Sequence, residues 1–152
     1  MRVFILSLFL SSCIVTTNTV VVEEPLCNYE KLNSTEVSEI ISLSRGACFG
    51  KCPIYFISIF SDNSAVYHGK RFVEKNGTIK FELTDEEINQ ILDKANKINF
   101  CTLKDEYSEP ITDLPTTYIQ VFDKKIRDYC GAPAELKELE FLIDEICFRY
   151  IN

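Results

Sequence analysis

The hydrophobic pattern of the chain changes its period at Thr84, and this change sets the class of fold. From residue 36 to 83 the apolar residues alternate or form short runs rich in β-branched and aromatic side chains, which is typical of strands. Over residues 85–98 they recur every three or four positions, which predicts an amphipathic helix. Thr84 and Glu87 have the spacing of a capping box, so we expect the helix to begin directly after Thr84.

The part of the chain before this helix predicts strands joined by tight turns. Residues 54–60, Ile-Tyr-Phe-Ile-Ser-Ile-Phe, are apolar on both faces and therefore predict a central strand. Asp62-Asn63-Ser64 and Asn76-Gly77 have the composition of hairpin turns. The predicted strands are residues 54–60, 65–68, 71–74 and 78–83, and the apolar residues Ile40, Ile41 and Leu43 precede the first of them in a strand-like pattern.

The part after the helix predicts one more hairpin and a second helix. An irregular link over residues 100–116 precedes strands at 117–122 and 125–129, with a turn between them at residues 123–124. Pro133 suits a first helical turn, and apolar residues follow it at helical spacing. The sequence thus predicts an α+β domain, an antiparallel sheet of about six strands covered by two helices, in the order β-β-β-β-α-β-β-α.

The start of the chain, MRVFILSLFLSSC, has the features of an export signal. Arg2 precedes an apolar run over residues 3–10, and small residues follow it. The run is far shorter than the roughly 20 residues that a membrane-spanning helix needs. We therefore predict that residues 1–12 are a signal peptide.

The end of this segment, Leu10-Ser11-Ser12-Cys13, resembles the lipobox of bacterial lipoproteins. The resemblance implies cleavage before Cys13 and acyl chains such as palmitate on that residue, and two or more chains anchor a protein stably. Ile14 is not the aspartate typical of inner-membrane retention, so an outer-membrane address in the cell envelope is expected. Residues 13–35 would then be a lipidated tether, and residues 36–152 a single domain. The alternative is an ordinary secretory signal with a chance cysteine.

The charge of the chain bears on its partners. Without residues 1–12 the chain loses one of its 16 basic residues and keeps all 23 acidic ones. This acidic balance argues against a nucleic-acid partner, because phosphate contacts need a basic face. It also argues against adhesion to anionic lipids, so membrane affinity is expected to come from the anchor at Cys13.

Six cysteines follow Cys13, at positions 27, 48, 52, 101, 130 and 147. An even number of cysteines in an exported chain predicts disulfides. Cys48 and Cys52 can close a five-residue ring in which Gly50 allows the tight turn, so we expect a structural bond there. The remaining four cysteines allow three pairings, and the residues do not choose among them.

Two alternatives give the motif Cys48-x3-Cys52-Pro53 a chemical role. Lys51 and Arg45 could stabilise a reactive thiolate, although thioredoxin-like enzymes use C-x-x-C at a helix start and this loop leads into a strand. The motif also resembles that of Sco-type copper chaperones, which would make Cys48, Cys52 and His68 ligands of Cu(I). That resemblance implies a thioredoxin-like domain, which the order of strands does not fit. The chain has no G-x-S-x-G pattern, and its residues imply no cofactor and no particular reaction.

A series of short motifs resembles the bacterial domain of unknown function 6438. The matching pieces are Arg45, Cys48-Phe49-Gly50, Cys52-Pro53, Tyr55, Val66-Tyr67-His68-Gly69, Asp105-Glu106-Tyr107, Asp113-Leu114-Pro115-Thr116 and Pro133. The resemblance spans about residues 37–150 and implies a compact domain often found behind lipoprotein signals, with no known activity. The family tends to have glycine in the first hairpin turn, where this chain has Asn63, a residue that also tolerates left-handed backbone angles.

These observations lead to an expected role in binding rather than catalysis. We expect a membrane-anchored lipoprotein domain that binds an envelope protein or ligand, or takes part in envelope assembly. The candidate binding residues are Arg45, Tyr55, Tyr107 and Asp113, which belong to the motifs above, and tyrosine is enriched at interfaces.

Overall fold

One sheet and two α-helices make up most of the domain in a computed structural model that describes residue 27 and residues 35–151. The predicted signal peptide, Cys13 and almost all of the predicted tether lie outside the described residues. The strands are β1 (Glu39–Arg45), β2 (Ile54–Phe60), β3 (Ser64–Arg71), β4 (Gly77–Glu82), β5 (Glu106–Tyr107), β6 (Thr117–Val121) and β7 (Lys124–Asp128), and the helices are α1 (Asp85–Lys97) and α2 (Ala134–Ile151).

The seven strands of the described region form a single sheet in the order β4-β3-β2-β1-β6-β7-β5. Every neighbouring pair is antiparallel except β5 and β7, which are parallel. The predicted α+β class is confirmed and the order β-β-β-β-α-β-β-α matches roughly, with the short strand β5 added within the irregular link. Strand β2 lies inside the sheet between β1 and β3, as its apolar sequence predicts.

The core lies against one face of the sheet. Leu43 of β1, Ile57 of β2 and Ile119 of β6 are paired side by side across the sheet and are fully buried. The residues that point the other way along β2, such as Ile54 and Phe56, are only half-buried. The two helices therefore cover a single face of the sheet. Strand β2, which is apolar on both faces, is completely buried only on the face that the helices cover.

The hairpin between β3 and β4 differs from the prediction. A separate strand over residues 71–74 is absent, because β3 continues through residue 71 and residues 72–76 form the connecting loop. Gly69 pairs with Gly77 where the hairpin closes, and a Cβ at Gly69 would lie 2.1 Å from the carbonyl oxygen of Lys75. The predicted hairpin of residues 54–60 and 65–68 is thus present as β2 and β3, whereas the predicted hairpin of residues 71–74 and 78–83 is replaced by the pairing of β3 with β4.

The helices begin where the sequence predicts. Thr84 Oγ1 accepts a hydrogen bond from the backbone N–H of Glu87 at 3.2 Å, and the Glu87 carboxylate accepts one from the backbone N–H of Thr84, which completes the capping box. Helix α2 begins directly after Pro133. The turn between β6 and β7 lies at Phe122-Asp123, one residue earlier than predicted, and Phe122 has a φ of +52°. Neither described helix combines the length and apolar character that crossing a membrane requires.

Candidate functional site

The loop between β1 and β2 contains the predicted Cys48–Cys52 disulfide, whose Cα atoms are 5.8 Å apart. Both cysteines are half-buried, whereas Phe49 between them is 88% exposed. The bond closes a short loop at the entry to β2. It also fixes an aromatic side chain in an exposed position.

His68 is not brought to this disulfide by the fold. It lies on β3 opposite Phe56 of β2, and its Nδ1 is 2.8 Å from Thr78 Oγ1. Phe56 is four residues beyond Cys52, which corresponds to about 13 Å along an extended strand. Among the described residues no group of three or more histidine, cysteine or acidic side chains is placed to hold a metal ion. The geometry therefore offers the Cu(I) alternative no assembled ligand set.

The remaining cysteines form one bond and leave two thiols. Cys27 is bonded to Cys101, with Cα atoms 5.7 Å apart, while Cys130 and Cys147 form no disulfide with any described residue. Cys147 is fully buried in α2, and burial, together with the negative charge of Asp144, raises the pKa of its thiol to about 12. This thiol therefore stays protonated and unreactive at neutral pH.

Arg45, at the end of β1, makes three side-chain hydrogen bonds to residues of β6 and α2. Its Nη1 donates to Glu140 Oε2 at 2.8 Å and its Nη2 to Asp144 Oδ2 at 2.7 Å. Nη1 also donates to Thr117 Oγ1 on the neighbouring strand β6 at 2.7 Å. The two acids are one helical turn apart on the buried face of α2, so a single guanidinium joins the sheet to this helix.

Tyr55 completes the same network. It is paired with Arg45 across β1 and β2, and its hydroxyl donates to Asp144 Oδ1 at 2.6 Å. Its ring packs against Tyr67 and Phe148, with ring centroids 5.8 and 5.4 Å away. Two of the four candidate binding residues thus meet on one carboxylate, where both oxygens are hydrogen-bonded.

The environment of the network shifts the titration of three of its groups. Burial alone would lower the pKa of Arg45, but the charges of Asp144 and Glu140 outweigh it and raise the pKa. Burial, followed by the charge of Asp144, raises the pKa of Tyr55. Burial raises the pKa of Glu140 to about 7, with a contribution from the negative charge of Asp128 and opposition from Arg45. Glu140 is therefore the member of the network that changes charge near neutral pH.

One side of this network borders a cleft of about 480 Å³. Its charged lining consists of Arg45, Asp128, Lys137 and Glu140, and Leu114, Pro115 and Phe141 supply apolar walls. Phe141 is 69% exposed although it is a large apolar residue on a helix. The cleft thus combines buried charge with exposed apolar surface, a combination typical of ligand sites.

Tyr107 and Asp113, the other two candidate binding residues, lie outside the network. The carbonyl oxygen of Tyr107 accepts hydrogen bonds from the backbone N–H groups of Tyr129 and Cys130, which ties β5 to the end of β7. The carbonyl oxygen of Asp113 accepts a long hydrogen bond of 3.5 Å from Phe49, which holds the disulfide loop beside the segment that borders the cleft. Both residues contribute backbone contacts to this end of the sheet.

Sequence reasoning missed the acidic partners of Arg45. Glu140 and Asp144 are separated by four positions and lie among the buried apolar residues of α2, such as Leu139 and Ile143. Two acids at that spacing on the apolar stripe of a helix are a signal, because buried carboxylates need a partner. The signal indicates that a cation faces α2, and Arg45 is that cation.

These features define a class of protein, a disulfide-containing α+β domain with an arginine–carboxylate network that joins its last helix to its sheet. The family model described as domain of unknown function 6438 matches residues 39–147, and the chain belongs to this family. The match begins with β1 and ends within α2, so it includes both sides of the Arg45 network. The resemblance read from the short motifs is confirmed. No curated protein matches the chain.

Proposed function

We propose that this chain is a lipid-anchored binding domain of the bacterial cell envelope, and that it binds its ligand at the cleft beside Arg45. The single observation that carries the proposal is the coincidence of the buried network with exposed apolar residues at one end of the sheet. A network in which Arg45 joins Glu140, Asp144 and Thr117 holds the border of the cleft in one geometry. A site on a rigid support loses little entropy when it binds a ligand.

The exposed apolar residues near the cleft support a contact function. Phe49 and Phe141 are 88% and 69% exposed, and the loop carrying Phe49 is hydrogen-bonded to Asp113, directly before the cleft residue Leu114. Large exposed apolar side chains concentrated at one end of a soluble domain mark interaction sites, and aromatic residues are enriched at the centre of such sites. The acidic balance of the chain favours a protein or small-molecule ligand over a nucleic acid.

The anchor is supported by the lipobox-like sequence ending at Cys13 and by the bond between Cys27 and Cys101. Lipidation of Cys13 would place the start of the mature chain at the membrane. The bond fixes the other end of residues 13–27 to the domain just after α1, and such a segment reaches at most about 50 Å. An anchored domain would therefore search for its ligand within a layer close to the membrane.

The anchor is tested by replacing Cys13 with serine in the natural host. We expect Cys13→Ser to move the protein from the membrane fraction to the soluble envelope fraction, because no acyl chain is then attached. Cys130→Ser serves as a matched control and should leave the protein in the membrane. Retention of Cys13→Ser in the membrane would contradict the proposed anchor.

The cleft is tested by photo-crosslinking in intact cells. A photoreactive phenylalanine analogue at position 141 should give a discrete crosslinked product, and adding Arg45→Met to the same chain should remove it. The same analogue at position 118 is the control, because Tyr118 is exposed on β6 but does not line this cleft. Equal crosslinking from positions 118 and 141 would contradict a binding site at the cleft.

A further inference from the structure

The charges around the cleft do not balance among the described residues. Arg45 approaches from β1, Asp128 from β7, and Lys137, Glu140 and Asp144 from α2. Tyr55 and Thr117 complete the surroundings as neutral hydrogen-bonding groups from β2 and β6. Three carboxyl groups thus face two cations, so the cluster has one negative charge in excess when every group is ionised.

The same cluster lacks hydrogen-bond donors. Within the part of the chain that the structure describes, Asp128 Oδ1 and Glu140 Oε1 are enclosed and have no hydrogen-bond partner, and both residues line the cleft although each is only 3% exposed. Buried carboxylate oxygens are normally paired, and leaving one unpaired costs more than leaving a neutral group unpaired. The site therefore lacks a positive charge that brings N–H donors with it.

We propose that the cleft binds an alkylammonium group, whose N–H bonds are donated to the carboxyl groups of Asp128 and Glu140 when their enclosed oxygens turn toward the cleft. This rests on the proposed function, in which the cleft is the binding site, and it names the class of ligand. The protein already contains one contact of this kind, between the ammonium group of Lys137 and Asp128, with Lys137 Nζ 2.9 Å from Asp128 Oδ2. More than half of the Lys137 side chain is exposed. The alkyl part of the ligand packs against Leu114 and Phe141.

A proton takes the place of the ligand when the cleft is empty. Burial and the charge of Asp128 raise the pKa of Glu140 to about 7, against the opposing effect of Arg45. An arriving ammonium group favours the carboxylate form, so the O–H bond of Glu140 breaks and its proton passes to the solvent. The ligand keeps all its covalent bonds. Binding is therefore coupled to the release of a proton, and it strengthens as the pH rises through 7.

The ligand class is tested by calorimetric titration of the full-length lipidated protein in detergent micelles. The probes are hexylammonium, its N,N,N-trimethyl analogue and hexanol, each at pH 6 and pH 8. We expect hexylammonium to bind about tenfold more tightly at pH 8, and its binding heat to change with the ionisation enthalpy of the buffer. The trimethyl analogue and hexanol should not bind, because neither brings an ammonium group with N–H donors. Absence of hexylammonium binding, or equal binding of the trimethyl analogue, would overturn the proposal.

A second set of probes separates two sources of the ammonium group. A blocked tripeptide with a central lysine carries the group on a side chain, and free hexylammonium carries it on a small molecule. Tighter binding of the tripeptide assigns the site to protein lysines, and tighter binding of hexylammonium assigns it to free amines. Equal weakness of both, beyond the millimolar range, overturns the alkylammonium class.

Variants test the residues named. Glu140→Gln should abolish both the pH dependence and the proton release, whereas Glu138→Gln, on the exposed side of α2 beside Lys94, should preserve them. If Glu140→Gln does not fold, the ligand class is still tested by comparing hexylammonium, its trimethyl analogue and hexanol on the unmodified chain. Crosslinking from position 141 without amine binding overturns this ligand class and leaves the binding domain in place. Amine binding without crosslinking supports the ligand class and contradicts a cellular partner that contacts position 141.

Discussion

Tyr55 donates its phenolic hydrogen to Oδ1 of Asp144 at 2.6 Å, while Arg45 occupies the other oxygen of that carboxylate. The two donors are opposite each other on β1 and β2, so a single acid of α2 is hydrogen-bonded to both strands at the same position of their pairing. The contact fixes α2 over the end of the sheet that borders the cleft. Because the interaction is buried and charge-assisted, each partner should matter to stability in a measurable way.

Replacing Tyr55 with phenylalanine should destabilise the domain by about 1–3 kcal/mol. The ring stays in place, but Asp144 Oδ1 loses its partner within a buried network. Tyr67→Phe is the matched control, since Tyr67 packs against Tyr55 and donates to the neutral carbonyl oxygen of Lys75 at 3.2 Å, which should contribute about 1 kcal/mol or less. Urea denaturation at pH 7 measures both, and a smaller effect for Tyr55→Phe than for the control would contradict the role of the network.

Replacing Arg45 with methionine should cost about 3–5 kcal/mol at pH 8. Glu140 and Asp144 would then be buried without a cation, which is the situation in which breaking an ion pair is most destabilising. The loss should be smaller at pH 5, because the unpaired acids can take up protons. Arg127→Met provides the comparison, since its pair with Glu106 is exposed and should contribute far less to stability. Similar losses for the two arginines would contradict this account.

The sequence predicts the helices and most strands because their signals are local. The capping box at Thr84 and the apolar stripe of α1 depend on residues a few positions apart, and the structure reproduces both. The network depends on residues almost a hundred positions apart, and nothing local connects Arg45 to Glu140. Arg45 is found through a family motif, whereas its partners are hidden within the apolar pattern of α2.

The errors of the sequence analysis have physical causes as well. Asn76-Gly77 favours a tight turn, and that preference predicts a short hairpin with a strand over residues 71–74. In the structure Gly69 permits a close approach of the loop backbone, so β3 pairs with β4 over a longer stretch than predicted. The pairing of Cys27 with Cys101 closes a separation of 74 residues, which only the tertiary structure can specify.

The two disulfides should differ in their contribution to stability. Opening the Cys27–Cys101 bond with Cys101→Ser should cost about 4–5 kcal/mol, because the bond closes a long loop across a separation of 74 residues. Opening the Cys48–Cys52 bond with Cys52→Ser should cost about 2 kcal/mol, because that separation is four residues. Denaturation of each variant against the oxidised parent chain measures the difference. The reverse order would contradict loop closure as the source of stability.

The same short bond also tests the thiol-redox alternative for Cys48 and Cys52. A structural disulfide should resist the glutathione pool, which corresponds to a reduction potential below about −300 mV. The measurement is the fraction of alkylated Cys52 after equilibration with glutathione buffers, read by mass spectrometry. Reduction in the range of thiol oxidoreductases, about −120 to −270 mV, would favour the alternative and count against a purely structural loop.

The stability of the domain should fall as the pH rises from about 5 to about 8. Burial raises the pKa of Glu140 from 4.5 to about 7 in the folded state, so the folded protein holds more protons than the unfolded chain between those values. The free energy of unfolding therefore decreases with pH across this window, by an amount on the order of 1–3 kcal/mol. Carboxylates with lowered pKa values, such as Glu87 and Glu138, make the free energy of unfolding increase with pH, but only below about pH 4.5.

Glu140→Gln isolates the group responsible for this slope. The amide keeps an oxygen for Arg45 and cannot titrate, so its free energy of unfolding should be nearly constant between pH 5 and 8. Glu138→Gln changes the same residue type on the exposed side of α2 and should retain the slope of the parent chain. Urea denaturation of the three proteins at half-unit intervals of pH makes the comparison. A slope that persists in Glu140→Gln would place the titrating group elsewhere, and it would remove the coupling between a proton and an ammonium ligand at the cleft.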